Sequence, residues 1–169
     1  MFVHDDVSMK LIDEKDLRFL LDIRNDSWKT LGTIDMINST KQKDWYNNIL
    51  SDPTKNYYIV YNAIGIKVGV IRMDEIDYIN RSARVGCDIH NQFQKAGNAQ
   101  KAMKMIIYYS FNYLNMNRLW LMVMESNKKA YHIYQKVGFI EEGRQRQGIY
   151  RNGFYEDYIL MGLLREEKE

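Results

Sequence analysis

The stretch Gln94-Lys95-Ala96-Gly97-Asn98-Ala99 is a loop able to meet an anion. Before it, Val85, Cys87 and Ile89 alternate with other residues as a strand does; after it, Ala102, Met103, Ile106, Tyr109 and Tyr113 recur at helical spacing. A strand–loop–helix of this kind leaves backbone N–H groups unpaired at the positive end of the helix dipole, which suits a phosphate or pyrophosphate. Gly97 permits close backbone approach and Ala99 keeps bulk away. Two other readings stand beside this one: an ordinary strand-to-helix turn, and a dinucleotide loop, which calls for three glycines where this loop has one. Arg24 carries paired donors suited to a phosphate or carboxylate. Asp88, Glu75 and Asp77 are carboxylates close enough in a strand meander to act as bases. His4, His90 and His132 share no metal-site spacing. Cys87 faces the core by alternation and has no acid or histidine partner in sequence, so no cysteine nucleophile is expected.

The elements that must position these groups follow from pattern and punctuation. Residues 9–12 read as a first strand and 13–24 as a helix capped by Asp13 and broken by Asn25-Asp26. Ser39-x-x-Gln42 reads as a capping box opening a helix whose buried stripe is Trp45, Ile49 and Leu50, ended by Asp52-Pro53. Strands follow at 57–61, 67–75 and 83–90, with short turns between them, an antiparallel meander. The helix from Ala99 to Tyr113 leads to a buried strand at 118–124, parallel to the strand before it. Ser126 or Asn127 caps a helix stopped by Gly138, and strands at 139–146 and 154–164 pair around Asn152-Gly153. The tail 165–169 is expected to fray.

The chain has 169 residues, 46% hydrophobic and 27% charged, which fits one domain over 1–169. A formal charge of +2 with no basic block argues against nucleic acid. One cysteine, no secretory pattern at Met1–Asp6 and no apolar run near the roughly 20 residues of a membrane span point to a cytoplasmic protein that meets no membrane.

Two motifs carry a resemblance. Gln94 to Ala99 is similar to the Gln/Arg-x-x-Gly-x-Gly/Ala loop of the GNAT N-acetyltransferase superfamily, although Lys95 and Ala96 depart from its usual Gly and Lys or Arg. Asn127 to Phe139 resembles the second GNAT motif, Asn-x-x-Ala-x-x-x-Tyr-x-x-x-Gly-Phe. Glu141-Glu142-Gly143-Arg144, with Asn152-Gly153, Asp157 and Met161, looks like the branch of ribosomal-protein and polyamine acetyltransferases. Ile23 to Asp26 and Lys43-Asp44-Trp45 resemble a neighbouring group that acetylates amino sugars on nucleotide carriers.

The resemblance implies an α/β fold, a mixed and mostly antiparallel central sheet flanked by helices, with a V-shaped split between its two central strands. It implies transfer of the acetyl group of acetyl-coenzyme A to a primary amine. The first expected acceptor is an amino sugar on a nucleotide carrier; a protein N-terminus or polyamine is the alternative, and a non-catalytic acyl-coenzyme A binder the competing class. Gln94, Lys95, Ala96, Gly97, Asn98 and Ala99 would hold the pyrophosphate, a bulge at the end of the central strand would open the split, and a backbone N–H near Ile89 would polarise the acetyl oxygen. Asn127 would bond the pantetheine arm or cap its helix, and Lys128, Lys129 and Lys136 would approach the coenzyme A phosphates. Tyr134 falls on the family's general acid, protonating the departing thiolate; without the motif it would be a core aromatic. Arg24, Asn25, Asp26, Trp28 and Asp88 would face the acceptor, and Trp45 would either join them or pack its helix on the sheet. No metal is implied, and the partners expected are a small-molecule amine and either no second copy or one.

Overall fold

The computed structural model describes residues 1–26, 37–94 and 96–168. Among the described residues eight strands form one sheet: β1 (Phe2–His4), β2 (Val7–Leu11), β3 (Asn56–Tyr61), β4 (Lys67–Asp77), β5 (Ser82–Ile89), β6 (Arg118–Met124), β7 (Ile140–Arg151) and β8 (Phe154–Leu164). Their order is β1-β2-β3-β4-β5-β6-β8-β7. The β5–β6 pair is parallel and the others antiparallel, as the helical crossover between β5 and β6 requires. Among the described residues four α-helices cover the sheet: α1 (Leu17–Asp26), α2 (Ser39–Ser51), α3 (Asn98–Asn112) and α4 (Lys128–Lys136).

Strand alternation sends β-branched and sulfur-bearing side chains to two separate cores. Ile71, Met73, Val85, Leu119, Leu121 and Met161 pack with α3 on one face. Tyr57, Ile59 and Val70 meet Leu20, Ile23 and Ile49 on the other. Helices therefore lie on both faces, as expected.

Several local expectations change. Asp13 does cap, and Asp16 answers it in a reciprocal capping box, but the turn it opens, Glu14–Asp16, is a 3₁₀ turn ahead of α1, and α1 runs on through Asp26. The cap of α2 is Asn38, whose side chain accepts from Lys41 N–H at 3.0 Å, because Ser39 already has helical geometry. Leu50 is 64% exposed; the buried face of α2 is Gln42 and Ile49, with Trp45 packed beside them. A short first strand, β1, pairs with β2 and had no sequence signal. The tail does not fray up to Lys168: Arg165 donates to the Met116 carbonyl at 2.9 Å and to the Asn115 side chain at 3.1 Å, stitching the end of β8 to the α3–β6 loop. Asn152 (φ 50°) and Gly153 (φ 89°) make the expected β7–β8 turn.

Candidate active site

β5 and β6 pair only at their first three residues, Ser82 to Arg84 against Arg118 to Trp120, and then separate. The expected bulge lies one strand away, on β4, where Glu75 (φ 49°) and Ile76 stand opposite a single residue of β5. The separation opens a cleft of about 410 Å³. His90 N–H donates to the Val68 carbonyl at 2.9 Å, which fixes the phase of the β4–β5 ladder. Alternation then turns the N–H groups of Cys87 and Ile89 away from β4 and toward the gap. An extended arm laid there would find strand-like donors, and Ile89 N–H is suited to a developing oxyanion.

At the head of the cleft, α3 begins at Gly97, whose φ of 73° is left-handed and whose added Cβ would meet nothing within 4 Å. Lys101 N–H is the first to reach a carbonyl of the helix, that of Gly97, so the N–H groups of Asn98, Ala99 and Gln100 have no intrahelical acceptor. Such a helix N-terminus can hold an anion, a pyrophosphate among them. Ala99 and Gln94 line the cleft and Gly97 and Ala96 are exposed at its rim; Lys95 lies outside the described residues. Asn98 does not face a ligand with its side chain: it is 5% exposed and donates to the Phe93 carbonyl at 3.0 Å, bracing the loop. Gln94 is likewise held, donating to Asn91 at 2.8 Å.

α4 supplies the opposite wall. Asn127 lines the cleft while its side-chain oxygen accepts from Ala130 N–H at 3.2 Å, so its amide N–H₂ stays available. Tyr134 lines the cleft with its ring edge-on to Phe139, and no described side chain hydrogen-bonds its hydroxyl. Burial pushes its pKa above the ordinary tyrosine range, with Cys87 and Asp88 adding, so the hydroxyl holds its proton at neutral pH. Lys136 is exposed in the last turn and does not line the cleft; the lysine that does is Lys129, which reaches Gln94 Oε1 at 3.3 Å. Cys87 packs against the core and also borders the cleft, and burial pushes its thiol up, away from thiolate chemistry.

A second cavity, about 230 Å³, lies on the α1–α2 side of the sheet, lined among others by Arg24, Gln42, Trp45 and Tyr57. Arg72, Arg84 and Asp88 border both cavities. Arg72 and Asp88 are ion-paired at 3.0 Å, and Arg84 pairs with Glu75 at 3.0 Å and Asp74 at 3.8 Å. Tyr57 donates to Asp74 at 2.5 Å. Asn25 does not line the cavity: its amide spans to the backbone of Ile37, giving and taking a hydrogen bond at 3.3 and 3.4 Å. Trp28 lies outside the described residues. Asp77 is also removed, since it accepts from the N–H groups of Ile79 and Asn80 in the β4–β5 turn. Sequence reasoning missed Arg72, Asp74 and Gln42 as site residues. The signal for the first two was there, in charges at alternate positions of the otherwise apolar strand Val68–Met73 and its continuation. Among the described residues no group of histidine, cysteine and carboxylate side chains could hold a metal.

Comparison with known proteins agrees with this geometry. The model of the acetyltransferase (GNAT) domain matches residues 8–140. A putative ribosomal N-acetyltransferase of Bacillus subtilis, YdaF, is 27% identical, covering 99% of this chain and 96% of that protein. The crystal structure of spermidine N-acetyltransferase from Vibrio cholerae in complex with CoA and spermine superposes with a TM-score of 0.92 at 27% identity, covering 98% of this chain and 99% of that one. A dodecameric structure of the same enzyme gives 0.85, also at 27% identity, over 97% and 96%. A split sheet with an unpaired strand edge, a helix N-terminus at its head and a protonated tyrosine in its wall is what an acetyl-coenzyme A-dependent N-acetyltransferase needs, and the chain belongs to the GNAT acetyltransferase family.

Proposed function

We propose that this chain acetylates a primary amine of a polyamine such as spermidine. The observation that carries the reading is the superposition, over nearly the whole of both chains, on a spermidine N-acetyltransferase bound to CoA and spermine. The cofactor arm would lie along Cys87 and Ile89, its pyrophosphate on the N-terminus of α3, and the acceptor would enter from the α1–α2 side, meeting the thioester where Asp88 borders both cavities. Tyr134 would protonate the departing sulfur. Arg72 and Arg84, whose charge repels a polycation, are offset by Asp88, Asp74 and Glu75. The expectation of a nucleotide-linked amino sugar gains no support from these relatives.

A second reading, acetylation of a protein N-terminus, is favoured by the full-length match to a protein named as a ribosomal N-acetyltransferase and by Arg24 beside the acceptor cavity, where a guanidinium suits backbone carbonyls. The test is release of the coenzyme A thiol with spermidine, spermine, N-terminal peptides and a nucleotide-linked amino sugar, the products identified by mass. Turnover greatest with spermidine or spermine supports the proposal; turnover confined to peptides moves it to the second reading, and to the sugar nucleotide overturns both. The dodecamer of the Vibrio cholerae relative leads us to expect an assembly larger than a dimer, measured by light scattering.

A further inference from the structure

Three carboxylates stood open in sequence as the group that receives the acceptor's proton, and the fold separates them. Asp77 is committed to its turn, and Glu75, 56% exposed at its side chain, projects from the bulge toward Arg84. Asp88 lines both cavities. Arg72 holds it there: the guanidinium lies across Gly86, where an added Cβ would stand 2.8 Å from Arg72 Nη2. In the wall of the same acceptor cavity, Gln42 is 3% exposed, and its Oε1 is buried with no hydrogen-bond partner among the described residues. Buried side-chain acceptors in folded proteins are nearly always satisfied, so an orphan on a residue that lines a cavity points to a donor that arrives with a ligand.

We infer that Asp88 and Gln42 together receive the acceptor amine, Asp88 as its base and Gln42 as its orienting acceptor. The inference rests on the acetyltransferase reading and holds for any primary amine. The ammonium gives one proton to the Asp88 carboxylate, which passes it to solvent, while Gln42 Oε1 accepts a second N–H. The freed nitrogen lone pair forms the C–N bond to the thioester carbonyl and the C–S bond breaks. Sulfur takes the proton of Tyr134, and the nitrogen's second proton restores the tyrosine. Of three ammonium protons one stays on the amide, one ends on the thiol and one leaves. The charged and titratable groups around Asp88 are Arg72 and Asp74 from β4, Arg84 and Cys87 on its own strand, and Arg24 from α1. Tyr57 and Tyr134 come from β3 and α4, and His90 stands two residues along, 3.9 Å from Asp26.

The test is the pH profile of kcat/KM for the fastest amine of the panel, in wild type, Asp88→Asn, Asp88→Glu and Gln42→Met. Asp88→Asn is expected to lose about 10²-fold or more near pH 7. It should recover about tenfold per pH unit as free amine accumulates toward its pKa of about 10. Asp88→Glu should keep the flatter wild-type profile at an intermediate rate. Gln42→Met should raise KM for the amine up to roughly tenfold, the scale of one hydrogen bond, with kcat and KM for acetyl-coenzyme A close to wild type. The melting shift given by acetyl-coenzyme A, retained in every variant, reports an intact fold and donor site. An Asp88→Asn variant that matches wild type, or is impaired equally at every pH, overturns the role of Asp88; an unchanged amine KM in Gln42→Met overturns that of Gln42. A wild type inert toward every amine overturns the acetyltransferase reading itself.

Discussion

Tyr134 carries the sharpest expectation at the scale of single residues. Its ring is packed against Phe139 and its hydroxyl is left for the cleft, so phenylalanine removes a proton and little else. Tyr134→Phe is expected to lower kcat by about 10²-fold or more with KM for acetyl-coenzyme A near wild type. A phenylalanine variant with normal turnover, in an assay limited by chemistry, would return Tyr134 to a packing role. Because burial raises its pKa above the ordinary tyrosine value of about 10, the hydroxyl stays protonated as pH rises. No alkaline loss of kcat from this group is therefore expected below about pH 10 in a pH–rate profile. The lysines of α4 separate in the same way. Lys129→Ala should raise KM for acetyl-coenzyme A by about two- to fivefold, the worth of one exposed charge contact, while Lys136→Ala leaves it unchanged.

At the scale of elements, function depends on where two strands stop pairing and on how one helix begins. Gly97 sets that beginning in a left-handed conformation with open space where a side chain would point. Any other residue there costs about 1–2 kcal/mol in backbone strain, but only a bulky anion would fill the phosphate cradle. Gly97→Ala should thus melt lower than wild type yet keep its melting shift with acetyl-coenzyme A. Gly97→Glu should melt lower and lose the shift. Differential scanning fluorimetry with and without acetyl-coenzyme A reads both, and a full shift in Gly97→Glu would move the pyrophosphate elsewhere.

For the molecule as a whole, one sheet serves two layers: α3 and α4 frame the larger cleft, α1 and α2 supply residues to the second cavity, and Arg72, Arg84 and Asp88 border both. No helix among the described residues is long and apolar enough to cross a membrane. The C-terminal edge is held to the donor layer by Arg165, which bonds across 49 residues to the Met116 carbonyl and across 50 to Asn115. Arg165→Ala should destabilise the fold by about 1.5–3 kcal/mol, the range for hydrogen bonds to a charged group. Chemical denaturation should show a lower midpoint at constant slope; an unchanged midpoint would mean the tail is dispensable.

What the sequence determined by itself was local. The periodicity of 99–113, the strand composition of 118–124, the stop at Gly138 and the turn at Asn152-Gly153 are set by each residue's own backbone preferences and by burial of one face. The two motifs added the order in which such pieces build a split sheet. Side-chain partners across the fold were not legible, because they are separated by long stretches of chain. Asn98 and Asn25 look like ligand-binding amides in one dimension and turn out to brace backbone; Lys129 and Lys136 look alike until the helix fixes which one faces the cleft. The pairing of Arg72 with Asp88, and their sharing of one cavity wall with Gln42, exist only once β4 lies in register against β5 and α2 packs beside them. Register and helix placement follow from burying both faces of the sheet at once, a condition on the whole chain that no single stretch of it contains.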